Sequence, residues 1–475
     1  MISKQELLQI ASQLNLGPHI VEKDYALGWI LAGINNHPKL ADDWVFKGGT
    51  CLKKCYFETY RFSEDLDFTL KDEAHLNAEF LSSAFVEISE WVYEQSGLEF
   101  PPDLQNFDIY ENPRGNLSCQ GKISYRGPVS PRSQSGGLPR VKLDLTADER
   151  LVLPPVRMPV FHPYSDAPGN GINILSYAYE EAFGEKVRAL AERTRPRDLY
   201  DVINLFRNTG ARPAPQVVLE VLKKKCEFKN IAVPVLDDLN SHRSDLEGTW
   251  EPMLGHQLPE LPPVASFWNA LPEFFAWLLE GVIPPMPAAY STGGGETIIR
   301  ERSLHLSVPG GAQSSLEVVR FAAANHMCVD LQYQGSTRRI EPYSLRKTKE
   351  GNVILHAWNV DKNEHRSYRV DRIQGAHTSN QSFVPRYEIE LTPSGPVSIP
   401  PTSRTKTTFS WEPSKAAGST PSGAMATMGP TYIYQCGVCS KKFRRNKQTN
   451  SLSAHKTPNG YPCSGRIAIL IDTQY

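Results

Sequence analysis

The chain has 475 residues, more than one compact core usually holds and enough for about three domains at roughly 150 residues each. Its 51 Lys+Arg against 52 Asp+Glu leave a formal net charge of -1, with 22% charged and 40% hydrophobic residues, so bulk charge names no polyanionic partner. The longest apolar run near the start, 26–34, falls short of the roughly 18 residues of a spanning helix, and the polar opening Met1-Ile2-Ser3-Lys4-Gln5-Glu6 does not resemble a signal peptide. The expectation is a cytoplasmic protein without a membrane partner, whose eight Cys are thiols or metal ligands and not a disulfide framework.

Hydrophobic periodicity predicts helices over 3–15 and 20–36, a strand over 44–47, a helix over 49–58, a strand over 63–70 and a helix over 77–96. Strands follow at 121–126 and 140–146, then helices at 176–194 and 197–208, a mixture that reads as α+β. An amphipathic stretch at 267–279 runs into Pro284-Pro285-Met286-Pro287 and Gly293-Gly294-Gly295, a chain break. Beyond it, alternation at 328–333, 353–358 and 366–370 suits a small twisted barrel. Residues 392–430 are rich in Pro, Gly, Ser and Thr, too poor in apolar side chains for a core, and read as a linker. The boundaries that follow are 1–285, a linker at 286–313, a domain at 314–391, a linker at 392–430, and a basic module at 431–475.

In the first part, Phe46-Lys47-Gly48-Gly49-Thr50 takes a strand into a glycine pair and then a helix, which is equally a tight turn or a phosphate cradle. Along Phe62-Ser63-Glu64-Asp65-Leu66-Asp67-Phe68, strand alternation puts Ser63, Asp65 and Asp67 on one face. Two neighbouring carboxylates on a half-buried strand repel unless a cation sits between them, and a hard ion such as Mg²⁺ or Mn²⁺ suits oxygen ligands. The bland alternative is a solvated acidic edge. Arg140-Val141-Lys142-Leu143-Asp144 adds a third carboxylate, and the three together suit phosphoryl or nucleotidyl transfer, with Asp144 orienting or deprotonating the attacking group. Farther on, Lys186 can meet phosphate as a point charge while Asp198 or Asp201, after Pro196, holds Lys186 or Arg197 in place. Surface ion pairs are the alternative for any one of these alone.

The tail holds Lys441, Lys442, Arg444, Arg445, Lys447, Lys456 and Arg466 against Asp472 alone. Cys436-Gly437-Val438-Cys439 forms a thiolate knuckle, and His455 and Cys463 complete four ligands for a structural Zn²⁺ that would supply folding free energy a meagre core cannot. The run Lys441-Lys442-Phe443-Arg444-Arg445, near Tyr432, Tyr434 and Tyr461, suits a nucleic-acid backbone or is a solvated face. The other five Cys have no paired spacing and read as buried thiols.

Taken in order, Glu22-Lys23-Asp24-Tyr25, Phe46-Lys47-Gly48-Gly49-Thr50, Phe62-Ser63-Glu64-Asp65-Leu66-Asp67, Leu143-Asp144, Glu185-Lys186 and Arg197-Asp198-Leu199-Tyr200-Asp201 resemble the AbiEii-type nucleotidyltransferase toxins, relatives of the MenT toxins. The resemblance covers about 1–285. It implies a polymerase-beta-type nucleotidyltransferase core with a helical C-terminal half, an NTP substrate, an acceptor such as tRNA, and a role in abortive phage defence or beside an antitoxin. Carried over, it implies that Gly48, Gly49, Thr50, Lys53 and Ser63, with Arg197, hold the nucleotide. By the same resemblance Asp65 and Asp67 would bind metal, Lys186 would contact phosphate, and Asp198 or Asp201 would complete the catalytic set with Asp144. Residues 314–391, through Arg338 to Lys347 and His365 to Ile373, resemble a WYL domain, a small Sm/SH3-like barrel, although the naming strand reads Val353-Ile354-Leu355. That resemblance implies a nucleic-acid or nucleotide ligand, for which Arg346, Arg366 and Arg369 would converge on phosphate, with Arg372 structural. Transfer to a protein or small molecule, and a nucleotide-binding regulator without turnover, remain as alternatives.

Overall fold

The computed structural model describes residues 1–14, 16–57, 61–130, 137–285, 287–289, 295–299, 312–391, 431–439, 441–445, 449–457 and 462–474. The expected linkers at 286–313 and 392–430 therefore lie largely outside the described residues, as do Lys447 and Tyr461 of the tail.

The N-terminal unit begins with α1 (Lys4–Leu14) and α2 (Pro18–Asn36), then β1 (Trp44–Lys47), α3 (Gly48–Cys51), β2 (Asp65–Leu70) and α4 (Ala78–Ser96). Next come β3 (Asn106–Glu111), β4 (Leu117–Ser124), β5 (Arg140–Thr146), β6 (Val156–Val160) and β7 (Ile172–Ser176). A helical half follows: α5 (Tyr179–Arg193), α6 (Pro196–Arg207), α7 (Pro215–Lys229), α8 (Leu236–Asn240), α9 (Arg243–Leu254), α10 (Val264–Trp268) and α11 (Leu271–Phe275). The seven strands lie in the order β3-β4-β5-β2-β1-β7-β6, with β2 parallel to β5 and β1 parallel to β7. α2 starts on Pro18, which supplies a helical φ without needing its missing N–H, and is buried along most of its length against β7, β5 and α4. Asn77 caps α4 by accepting from the Phe80 N–H, and Gly97 ends it at φ +77°.

Most predicted elements fall where the periodicity puts them, and the departures have physical causes. The expected helix 49–58 is one turn of α-helix followed by a π-helical turn over Leu52–Tyr56. The expected helix at 176–194 starts at Tyr179, because Ser176 ends β7. The strands β3, β6 and β7 had no expectation: β3 and β6 are edge strands, β6 carries Pro159 and β3 is largely exposed, while β7 is an inner strand of only five residues beside the helix expected from 176.

The middle unit contains β8 (Thr297–Ile298), α12 (Ala312–Ala324), β9 (Met327–Tyr333), β10 (Ser336–Lys347), β11 (Val353–Asn359), β12 (Glu364–Arg369) and β13 (Ile373–Ser382). Its antiparallel sheet runs β12-β11-β10-β9-β13, with α12 packed on β13, β9 and β10. No ladder among the described residues joins β12 to β13, the pairing a closed barrel needs. One continuous core joins the two units, including Phe206 and Phe267 with Leu316 and Val319, and the Tyr200 hydroxyl donates to Asn325 Oδ1 across the join at 2.9 Å. The tail forms β14 (Thr431–Cys436), β15 (Lys442–Arg445), β16 (His455–Lys456), β17 (Pro462–Cys463) and β18 (Ala468–Gln474), around a small core of Tyr434, Cys436, Leu452, Cys463 and Ala468.

Candidate active site

Register alone gathers the acids. Across the parallel pair β2 and β5, Asp67 lies opposite Asp144 and Asp65 opposite Lys142, while β1 sets Lys47 opposite Asp67. Along β5 the burial alternates, with Val141, Leu143 and Leu145 in the core and Lys142 and Asp144 on the other face. Lys142 Nζ lies 2.9 Å from Asp144 Oδ2, and Gln120 Nε2 on β4 donates to Asp144 Oδ1 at 3.3 Å.

The carboxylates of Asp65 and Asp67 make no hydrogen bond or ion pair among the described residues. More deeply buried acids of this unit do: Asp24 holds Lys54 at 2.7 Å, and Glu181 holds Lys225 at 2.7 Å. Burial pushes Asp67 up to about 6, with repulsion from Asp144 and Asp65 adding to it and Lys47 opposing. Asp65 is raised as well, by burial first and by Asp144, against the pull of Lys142. An all-oxygen set that resists its own negative charge fits a hard divalent cation.

The glycine pair shapes this floor. Gly48 sits at φ +79°, and a Cβ there would collide with Asp67 Oδ2. Gly49 rests against the Arg61 guanidinium and Ser63 Oγ. The two N–H groups, more than a helix dipole, mark this corner, since α3 has only four residues. Thr50, expected at the nucleotide, is buried and its hydroxyl donates to the Asp65 carbonyl, tying α3 to β2. Lys53, expected beside the nucleotide too, is buried with its ammonium 4.5 Å from the Phe62 ring centre.

Behind the acids lies a second charged layer. Lys186 Nζ stands 2.6 Å from Asp201 Oδ2 and 3.6 Å from Asp198 Oδ1. Arg61 grips Asp201 through two bonds of 2.8 Å and reaches Gln257 Oε1 at 3.0 Å, while Arg193 grips Asp198 at 2.7 and 2.9 Å. Burial pushes Asp201 upward, but Arg61 and Lys186 outweigh it and hold the carboxyl well below the usual range. Asp198 and Asp201, expected to complete the catalytic set or to hold Lys186 or Arg197, are fully buried and paired with Lys186, Arg61 and Arg193. Arg197, in the first turn of α6, faces the charges of Asp65 and Glu64, and its buried Nε has no hydrogen-bond partner in the structure.

The motif Glu22 to Tyr25 fastens four segments around this site. Glu22 accepts from the N–H groups of Val129 and Ser130 at 2.6 and 2.9 Å, Lys23 reaches Glu64 at 2.6 Å, Asp24 holds Lys54, and Tyr25 donates to Asp166 at 2.7 Å. Sequence reasoning missed Arg61, Arg193, Lys47 and Lys142 as members of the site. Arg61 carried the one available signal, a cation beside the acidic motif, whereas its partner Asp201 lies 140 positions away.

The other two expected sites diverge. The atoms of Cys436, Cys439, His455 and Cys463 lie within 4.8 Å of one another. Cys436 and Cys463 Sγ are 3.8 Å apart, the edge of a tetrahedron with bonds of about 2.3 Å. Val438 N–H and Gly465 N–H donate to Cys436 and Cys463 Sγ, and His455 Nδ1 bonds the Ser453 carbonyl, leaving Nε2 for a metal. The side chains of Arg444 and Arg445 lie outside the described residues. The three arginines expected to converge on a WYL ligand do not: Arg346 is buried against Glu390 at 2.8 Å, Arg366 pairs with Glu364 at 2.5 Å, and Arg369 with Asp371 at 2.7 Å. Register puts Arg346 and Arg369 in one row through Ile354, and Arg366, opposite Ala357, on the other face.

Residues 29–279, more than half of the chain, match the family model described as nucleotidyl transferase AbiEii toxin, type IV TA system. Residues 314–378 match the WYL domain model. No curated protein matches the chain. Among solved structures, the chain is similar to MenT4, a nucleotidyltransferase toxin from Mycobacterium tuberculosis, at 21% identity and a TM-score of 0.41, covering 58% of this chain and 87% of that one.

Proposed function

The chain belongs to the AbiEii nucleotidyl transferase toxin family and is a nucleotidyltransferase, and on that premise we propose a divalent-cation-dependent transfer of a nucleoside monophosphate from an NTP to tRNA. The observation that carries the reading is the pair of carboxylates Asp65 and Asp67, unpartnered among the described residues and opposite Asp144 and the Lys142 it pairs with. Asp65 and Asp67 would hold Mg²⁺ or Mn²⁺, which supplies charge neutralisation for the triphosphate and the departing pyrophosphate. Asp144 accepts the proton of the attacking hydroxyl. The new P–O bond forms at the α-phosphorus as the bond to the β-phosphate oxygen breaks. Gly48, Gly49 and Ser63 border the triphosphate, Arg197 and Lys186 meet its charge, and Asp198 and Asp201 hold Lys186 on station.

On the same reading, 1–285 is the transferase, 314–391 a WYL regulatory domain and 431–475 a zinc module held by Cys436, Cys439, His455 and Cys463, joined by linkers at 286–313 and 392–430. The two smaller modules position nucleic acid and restrain the enzyme, and an antitoxin is the family's expected partner. No helix among the described residues is long and apolar enough to cross a membrane.

The test is incubation of the protein with each α-labelled NTP, Mg²⁺ and total RNA. Label in a tRNA-sized band, lost in Asp67→Asn and with EDTA, is the expected result. Label in protein overturns the tRNA assignment, and no label with any NTP favours a regulator without turnover.

A further inference from the structure

A cavity of about 520 Å³, within the range of small-molecule sites, lies where the transferase unit meets the WYL unit. It is walled by the C-terminal end of α6 and the loop after it on one side, and by the end of α12 and residues 384–389 on the other. Two guanidinium groups line it without a carboxylate within 4.0 Å among the described residues. Arg207 stacks on Phe267 at 4.7 Å and donates through Nη2 to the Ser266 carbonyl at 2.7 Å, but its Nη1 is buried with no hydrogen-bond partner. Arg212 lies 4.9 Å over the Phe206 ring.

A buried guanidinium nitrogen with an unused donor is costly unless an anion meets it, and two forks facing one cavity match phosphate oxygens. The rest of the wall has a different chemistry. Phe57 and Tyr387 offer flat apolar faces, Asn208 and the imidazole of His326 offer neutral polar edges, and Glu273 and Glu388 offer acceptors for hydroxyl groups. Burial keeps His326 neutral, and Arg207 beside it adds to that effect. One phosphate, one planar ring and a pair of hydroxyls describe a single class of molecule.

We infer that the cavity between α6 and the WYL unit is a binding site for a mononucleotide, its phosphate held by Arg207 and Arg212 and its ribose hydroxyls by Glu273 or Glu388. The site is separate from the carboxylate pair on β2. α6 carries Asp201 and Asp198 at its start and Arg207 at its end, so one helix joins this cavity to the residues that hold Lys186. The inference rests on the cavity and not on turnover, and its test reads binding alone.

The experiment is isothermal titration of the full chain with AMP, GMP, CMP and UMP, and with inorganic phosphate as a control. At least one nucleotide is expected to saturate a site below about 1 mM, with inorganic phosphate at least about tenfold weaker. Arg212→Gln, and Thr209→Trp, which fills the cavity from its loop without removing charge, each weaken that binding by about tenfold or more, and Asp67→Asn leaves it unchanged. Circular dichroism and a melting curve establish that the variants are folded. The inference is overturned if no nucleotide binds, if binding survives both cavity variants, if it is lost in Asp67→Asn, or if bare phosphate binds as tightly as the nucleotide.

Discussion

Asp67 carries a conflict between burial and charge that the proposed cation would relieve. Its native carboxyl titrates near 6, about two units above an unfolded Asp, so the cost of its ionisation builds up between roughly pH 4 and 6 and stays constant above that. Asp67→Asn removes the cost. Above pH 6 the metal-free variant is expected to melt a few degrees higher than the parent, with the difference vanishing below about pH 4, while transfer falls by about 10³-fold or more. Protons compete with a divalent cation for the same oxygens, so Mn²⁺ affinity, read by calorimetry, falls by about tenfold per pH unit below 6 and levels off above 7. A flat profile from pH 5 to 8 would remove Asp67 from the cation site. Asp201 has the opposite sign. Its depressed value gives stability that is present above about pH 4 and lost as acid protonates it. Asp201→Asn takes the carboxylate from Arg61 and leaves Lys186 with Asp198 at 3.6 Å, and is expected to cost roughly 3–5 kcal/mol in urea unfolding. Lys186→Met leaves Asp201 gripped by Arg61, so it loses transfer by about 10²-fold with a smaller loss of stability.

Among the elements, the turn from β1 into α3 is the one whose backbone the site cannot change. Gly48 and Gly97 share nearly the same φ, +79° and +77°, but their surroundings differ. A Cβ at Gly97 meets ordinary space, with Ala454 Cβ 3.6 Å away, whereas one at Gly48 strikes the Asp67 carboxylate. Both Ala substitutions carry a backbone cost of about 1 kcal/mol. Only Gly48→Ala is expected to reduce transfer, by about 10²-fold, and equal loss from both would show that strain and not contact decides. Glycine pairs and the acidic alternation were legible because each is a local property of a strand and a turn. The short length of α3 was not, since its continuation as a π turn depends on the burial of Leu52, Cys55 and Tyr56 against other elements.

At the scale of the molecule, the tail should behave as a unit of its own. Its core is five buried residues, two of them Cys of the proposed zinc cluster, so on that proposal a bound ion supplies the cohesion the core does not. One Zn²⁺ per chain is expected by metal analysis. Chelation, or Cys463→Ser, should open 431–475 to protease while the main melting transition of the rest moves by about a degree or less. A tail that stays protected after chelation would refute the zinc assignment. The WYL unit shares a core with the transferase, through Phe206, Leu316 and Val319, and is expected to unfold with it in one transition.

Sequence alone carried the alternation that puts Asp65, Asp67 and Asp144 on polar strand faces, the helices α1, α2, α4, α5 and α6, and the grouping of Cys436, Cys439, His455 and Cys463, because each follows from the periodicity of a strand or helix or from short-range spacing; α7, α9 and α12 were not legible in it. Pairings between residues far apart in sequence needed the fold. Asp198 and Asp201 hold Lys186, as the sequence allowed, but the grip of Arg61 on Asp201 is set by the fold, as is that of Glu390 on Arg346. A charged side chain's role depends on the counter-charge it meets and on how much water remains around it, and where the decisive partner lies tens or more than a hundred residues away, as for Asp201 and Arg346, only the folded chain brings the two together.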